Sequence, residues 1–275
     1  MWTRILLTCL GIVSGTVVVP GESPVADGAV EETMERAMEK DSGSVTVVRP
    51  TIDELIPLER EPSPGDSGMF TDTEGRAIVS FFGLETTGTS FVFLVDSSAS
   101  TGGRGNLTLP LIRAQVDRSL RRLDEVHRFG IVVYGESPRW YRPASAAGPV
   151  TFATEENRER ASRFLRTVRS GGNTDHLRAL REALRVRPDV LFWMTDGEDP
   201  KLSREELDEL RELAAGTRIY TLEFGVGDAP ESPGFLKIAA EENGGTHRWI
   251  DLIATLREFL ERQRKGNTGT SAPSR

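Results

Sequence analysis

The amino-acid sequence predicts an α/β fold, a Rossmann-like open and mostly parallel sheet with helices on both faces. Three observations carry that expectation. Strand-like and helix-like segments alternate along the later two thirds of the 275 residues, the order that a parallel sheet with helical crossovers requires. Residues 91–95 (Phe-Val-Phe-Leu-Val) and 190–194 (Val-Leu-Phe-Trp-Met) are apolar throughout, as strands covered on both faces must be. No repeat of fixed period runs through the chain, which sets solenoids and propellers aside.

Each element follows from local pattern. Residues 77–82 and 91–95 read as strands separated by the turn-rich Glu85-Thr86-Thr87-Gly88-Thr89. Residues 107–126 place Leu111, Ala114, Leu120 and Leu123 at helical spacing, with arginines and acids on the other face. Strand returns at 129–134, and a short edge strand is expected around Trp140 and Tyr141. Helices follow at 155–168 and 177–186, the second stopped by Pro188. Beyond the buried strand at 190–194 come a helix at 204–215, a strand at 218–224, a helix at 234–242, a strand at 246–250 and a final helix at 252–264. The domain is placed at 77–264, behind the breaker cluster Ser63-Pro64-Gly65-Asp66-Ser67-Gly68. Residues 21–75, rich in Pro, Gly, Ser and acids, read as a largely disordered linker, and 265–275 as a disordered tail.

The first 20 residues set Arg4 before an apolar run at 5–19, the pattern of a signal peptide or of an uncleaved membrane anchor. Either keeps Arg4 inside and sends Glu22, Asp27, Glu31 and Glu32 outward. The expectation is a domain exported or anchored outside the cytoplasmic membrane, touching the membrane only through this segment. A net charge of −8 lacks the basic footprint of a nucleic-acid binder. The one cysteine, Cys9, lies in the apolar run, so the domain has neither an internal disulfide nor a thiolate metal site.

The chemistry gathers where strands end. The strand at 91–95 runs into Asp96-Ser97-Ser98-Ala99-Ser100, and residues 96, 98 and 100 of an extended-to-turn backbone turn toward one centre while 97 and 99 point away. The strand at 190–194 delivers Asp196 in Thr195-Asp196-Gly197-Glu198-Asp199, and a glycine-rich loop, Ser170-Gly171-Gly172-Asn173-Thr174-Asp175, brings Thr174. Open α/β sheets bind their ligands at this edge. Taken singly, Asp96, Ser98, Thr174 and Asp196 each read as a helix or turn cap. Taken together, two carboxylates and three hydroxyls form an all-oxygen set suited to a hard divalent cation rather than zinc or copper.

This pattern, Asp96-x-Ser98-x-Ser100, then Thr174, then Asp196, resembles the metal-ion-dependent adhesion site (MIDAS) of von Willebrand factor type A (VWA) domains. The resemblance spans about 81–252. It is also similar to a bacterial subgroup in which Phe81-Phe82-Gly83 precedes the first metal-loop strand and Ile238-Ala239-Ala240-Glu241-Glu242-Asn243-Gly244-Gly245-Thr246 precedes the last. The resemblance implies the VWA fold and direct metal contacts from the hydroxyls of Ser98, Ser100 and Thr174. It implies that Asp96 and Asp196 act largely through water, on Mg2+, or on Mn2+ or Ca2+. It further implies an open coordination position for an acidic side chain of another protein, and a final helix that shifts when the site engages a ligand. Ala99 replaces a common glycine and Thr101 a common methionine, and neither is expected to supply a ligand.

The expected function is a metal-dependent protein-binding module for adhesion or scaffolding, and not an enzyme. Two alternatives stand beside it. An aspartyl-nucleophile hydrolase or phosphatase would use Asp96 but needs a carboxylate where Ser98 stands. A metal-free structural assembly domain would use the fold alone. No Gly-x-Ser-x-Gly elbow supports a serine hydrolase. Of the histidines, His176 is expected to face solvent in a first helical turn, while His127 and His247 are expected at surface or boundary positions without partners. Asp175, Glu198 and Asp199 form either a solvated acidic rim or a set that tunes the metal.

Overall fold

A computed structural model of the chain describes residues 70–103, 107–143, 148–231, 234–255 and 257. The apolar runs that the sequence singles out form the centre of one sheet. β3 (Ser90–Asp96) lies between β4 (Arg128–Tyr134) and β7 (Val190–Thr195), and β8 (Arg218–Gly225) and β9 (His247–Asp251) extend the sheet beyond β7. These five strands are parallel. Two short strands, β5 (Arg139–Trp140) and β6 (Thr151–Phe152), pair antiparallel with β4 at the other margin. The result is a mixed, mostly parallel α/β sheet.

Alternation along the strands assigns the helices to two layers. Phe91, Phe93 and Val95 point to one face with Ile131, Val133, Phe192, Met194, Leu222 and Phe224, where α2 (Thr108–Arg121) and α3 (Glu155–Thr167) pack. Val92, Leu94, Val132, Leu191 and Trp193 point to the other, covered by α4 (His176–Leu184), α5 (Arg204–Ala214) and α6 (Phe235–Glu242). A short helix, α1 (Ala99–Gly103), precedes α2. Local signals set the helix starts. Thr154 accepts from the Asn157 amide, and Ser203 forms a capping box with Glu206.

The region before the central strand departs from expectation. β1 (Ala77–Phe81) does not join the main sheet but forms a hairpin with β2 (Leu84–Gly88), the stretch expected to be turn. The polar, threonine-rich segment at 84–88 tolerates a strand because part of its length faces solvent while Thr86 and Gly88 are buried. Phe81 anchors the hairpin at ring-centroid distances of 4.7 Å from Phe192 and 5.6 Å from Phe93. Arg218 reaches from β8 to Thr86 Oγ1 and to the Thr87 carbonyl. The described residues also include the end of the stretch expected as linker. Asp72 caps a turn by accepting from the amides of Glu74 and Arg76, and Thr71 donates to Asp124 at 2.7 Å.

Residues 252–255 and 257 are helical at the start of the expected final helix. The rest of that helix, the N-terminal segment at 1–20, the linker up to residue 69 and the tail lie outside the described residues. Among the described residues no helix is long and apolar enough to cross a membrane.

Asp189, in the turn before β7, ties the two strand systems together. Its Oδ2 accepts from the Thr89 amide at 2.7 Å, the Thr89 hydroxyl at 2.6 Å and the Ser90 amide at 3.1 Å. Burial alone would push this carboxyl up, but the bonds from Thr89 and Ser90 outweigh it and hold the carboxyl below its ordinary value. A lowered carboxylate pKa stabilises the fold above the unfolded value, and that contribution is lost as pH falls through the folded value. Asp189→Ala removes these three hydrogen bonds and, with solvent screening a partly exposed carboxylate, should cost on the order of 1 kcal/mol at neutral pH. In urea unfolding the gap between wild type and variant should close as the solution is acidified below the carboxylate range.

Candidate functional site at the carboxyl edge of the sheet

β3 and β7 are neighbours with Val95 opposite Met194, so the residues that follow them emerge side by side. Asp96, the last residue of β3, is fully buried. Its Oδ1 accepts from the Ser98 amide at 2.8 Å, which turns the chain, and its Oδ2 accepts from the Thr195 hydroxyl at 2.7 Å. Burial pushes the Asp96 carboxyl up and the nearby Asp196 carboxylate pushes it further, against the hydrogen bonds from Thr195 and Ser98. Asp196 is 5% exposed. Its Oδ1 accepts from the Glu198 amide at 3.3 Å, while its Oδ2 is buried and has no hydrogen-bond partner among the described residues. An unpartnered buried carboxylate oxygen is costly unless something else meets it.

The hydroxyls gather beside this pair. Ser98 Oγ lies 3.1 Å from Ser100 Oγ and 3.2 Å from Thr101 Oγ1. Ser97 turns away, as expected, and donates its hydroxyl to the Tyr134 carbonyl. Thr101 is fully buried and joins the hydroxyl cluster, because α1 starts at Ala99 and brings residue 101 back over residue 98.

The third loop is docked by its backbone. Gly171 N donates to the Ser97 carbonyl, Ala99 N to the Gly172 carbonyl, and Asp175 N to the Gly135 carbonyl. Thr174 is half-buried in this loop, and among the described residues its hydroxyl makes no side-chain hydrogen bond. The structure thus groups Asp96, Asp196, Ser98 and Ser100 through hydrogen bonds and charge, and sets the loop carrying Thr174 against them through the main chain. Two glycines permit the close approach. A Cβ on Gly135 would stand 3.0 Å from the Asn173 carbonyl oxygen, and Gly197, at φ +69°, lies over the Glu223 carboxylate and Leu236.

His176 corrects the sequence reading. It is 1% exposed, with Nδ1 hydrogen-bonded at 2.9 Å to the Tyr134 hydroxyl, which also accepts from Trp193 Nε1 at 2.7 Å. Its ring packs on Trp193 and Phe235. The signal was present, since His176 precedes Ala179, Leu180 and Ala183 at helical spacing on the buried face of α4. His127 and His247 also have partners, contrary to expectation. His127 accepts from the Asp124 amide and contacts the Gly75 carbonyl, and His247 pairs with Thr221 Oγ1 and Glu223. Asp175 is the cap of α4, accepting from Arg178 N, whereas Glu198 and Asp199 are exposed.

Among the described residues no group of three or more His, Cys, Asp or Glu side chains is placed to hold a metal. A cation at this edge would rest on two carboxylates supplemented by hydroxyls. The donor set and the unpartnered Asp196 oxygen fit a hard, oxygen-seeking ion.

The profile of a family described as von Willebrand factor type A domain matches residues 89–248, more than half of the chain. Among solved structures, the chain is similar to a von Willebrand factor type A protein from Catenulispora acidiphila, with 20% identity and a TM-score of 0.50 over 65% of this chain and 43% of that one. It is similar to the conserved hypothetical protein BatB from Bacteroides thetaiotaomicron at 16% identity and TM-score 0.45, over 66% of this chain and 100% of that one. It is also similar to proximal thread matrix protein 1 from the mussel byssus with a zinc-occupied MIDAS motif, at 15% identity and TM-score 0.45, over 68% of this chain and 48% of that one. The chain thus spans less than half of the first and third of these proteins, and identities this low speak to fold alone. No curated protein matches the chain.

Gly135→Ala should prise the Thr174 loop from the serine loop, because the added methyl meets main-chain oxygen that cannot rotate away. In amide exchange the Ala99 and Gly171 N–H groups should lose protection by roughly tenfold or more, while the Val133 amide in β4 keeps its own. Unchanged exchange at Ala99 and Gly171 would contradict the proposed role of the close approach.

Proposed function

The chain belongs to the von Willebrand factor type A domain family, and from that premise we propose that its sheet edge is a divalent-cation site through which another protein is recognised. Asp96, Ser98, Ser100, Thr174 and Asp196 would hold the ion, Mg2+ in the first place and Mn2+ or Ca2+ as substitutes. When bound, the cation supplies an open coordination position for a partner's carboxylate. The residues of the chain do the rest. Thr195 and the Ser98 amide hold the Asp96 carboxylate in one orientation, and the main-chain bonds of Gly171 and Gly172 keep the two hydroxyl-bearing loops together.

The observation that carries this reading is the buried Asp196 Oδ2 without a partner, next to a second buried carboxylate. Two such groups side by side are unfavourable in a site meant to stay empty of positive charge. The same geometry speaks for a binding module over an aspartyl-nucleophile hydrolase. Both oxygens of Asp96 already accept hydrogen bonds, and the position a second carboxylate would take is Ser98. The apolar run before residue 20 supports display outside the cytoplasmic membrane.

Calorimetric titration of Mg2+ and Mn2+ into the full chain should show saturable binding that Ser98→Ala/Ser100→Ala abolishes. At a hundredfold excess over Kd, the ion should add about 2.7 kcal/mol to wild-type stability and nothing to the variant. A folded wild type that binds neither ion would leave a metal-free assembly domain as the better account.

A further inference from the structure

The margin of the sheet at β5 carries a second feature that the cation site does not use. A groove of about 880 Å³ wraps this edge, bounded by β5 and the residues beside it, by α3 through Phe164 and by the exposed side of α4. Five of its nine lining residues are arginines, against one acid, Glu182. That is a strong local reversal in a chain whose net charge is −8.

The arginines differ in what they already hold. Arg181 is engaged by Glu209 through two hydrogen bonds at 2.6 and 2.8 Å, and Arg185 by Glu182 at 3.3 Å. Arg139, Arg142 and Arg178 are exposed, and among the described residues none of the three has a carboxylate partner. Arg139 lies 5.1 Å over the Phe164 ring, and Trp140 Nε1 donates to Glu182. The groove therefore sets three guanidinium groups without carboxylate partners among the described residues beside the partly exposed ring of Phe164. A charged edge strand guards a sheet against pairing with another, but one charge serves that purpose, and here several converge.

We propose that this groove is a docking surface for an acidic, extended segment of a partner protein. Such a segment spaces its carboxylates and places neutral residues between them, so acids can meet Arg139, Arg142 and Arg178 while an apolar residue lies beside Phe164. Guanidinium forks suit carboxylates. A nucleic-acid strand fits less well, because its unbroken phosphate charge would be forced against Glu182 and Glu209 and the overall negative field of the chain. The groove also approaches the cation edge. Arg139 pairs in register with Val133, one residue before the end of β4, and Arg178 donates to the Glu136 carbonyl at 3.4 Å. The surface is nonetheless separate from the cation site, and its occupancy needs no metal.

The test uses the full chain in EDTA and a short fluorescein-labelled peptide in which Glu alternates with Ala, followed by anisotropy beside its Gln counterpart. The Glu peptide should bind saturably, weaken as salt rises, and lose roughly tenfold or more in affinity to Arg139→Glu/Arg142→Glu. Arg121→Glu, an exposed charge reversal on α2, and Ser98→Ala/Ser100→Ala should each leave it within about twofold. Equal melting temperatures for the charge-reversal variants would confirm that each remains folded. The proposal is overturned if the Glu peptide fails to bind, if the Gln peptide binds as well, or if Arg139→Glu/Arg142→Glu has no effect. It is equally overturned if a single-stranded oligonucleotide displaces the peptide at lower concentration than unlabelled peptide does. A wild-type chain that binds the peptide but neither Mg2+ nor Mn2+ would defeat the cation reading alone.

Discussion

The site depends on one hydrogen bond, from the Thr195 hydroxyl to Asp96 Oδ2 across the ends of two parallel strands. The β3 and β7 ladder brings two carboxylates to one edge, and without the Thr195 donor Asp96 would keep only the Ser98 amide against burial and the nearby Asp196 charge. Thr195 supplies that donor, and its oxygen in turn accepts from the Gly197 amide at 3.1 Å. The turn that aims Asp196 and the orientation of Asp96 are thus set by the same side chain. Register makes this possible, since a slip by one residue would swap the faces of every side chain in β7 and remove Trp193 from its layer.

Beneath that edge the core is polar where cores usually are not. Trp193, Tyr134 and His176 form a chain of hydrogen bonds within an apolar layer, with Phe235 against the histidine. Burial pushes the His176 pKa down and the Tyr134 pKa up, so both stay neutral at neutral pH. A neutral pair of this kind fixes ring orientations without adding charge beside the two aspartates. On the opposite face the aromatic rings of Phe81, Phe93 and Phe192 pack together and fasten the outlying hairpin.

How much of this was legible in the sequence depends on the range of the interaction concerned. The strand centres and the helix over 155–167 follow from period and caps, both local. The motif spacing singled out Asp96, Ser98, Ser100 and Asp196, and the structure brings these four to one edge. Thr174 was legible as a member of the loop but not in its side-chain contacts. β2 was hidden because a partly exposed, threonine-rich strand looks like turn until its hairpin partner is known. His176 was misread because a first-turn histidine beside Thr174 and Asp175 was weighed by its polar neighbours rather than by its phase with Leu180. Thr195 was passed over because its partner lies far away in sequence, and Thr101 was considered only as a metal ligand and not as a partner of Ser98. Each acts through a contact with Asp96 or Ser98, and the Thr195 bond to Asp96 is 99 residues distant in sequence.

The energetics of the edge also bear on where the rest of the structure places its stabilising contacts. Desolvated carboxylates and an unpartnered carboxylate oxygen lower the stability of the fold when nothing is bound. Stability must then come from elsewhere, and the molecule places it away from the site. Asp189 joins the hairpin to β3 at the opposite end of the sheet, Arg218 holds the hairpin from β8, and two apolar clusters pack on the two faces of the sheet. Rigidity at that distance lets three loops converge without collapsing onto one another. The buried Asp196 oxygen remains available because the backbone bonds of Gly171, Gly172 and Gly135, rather than its own, hold those loops in place.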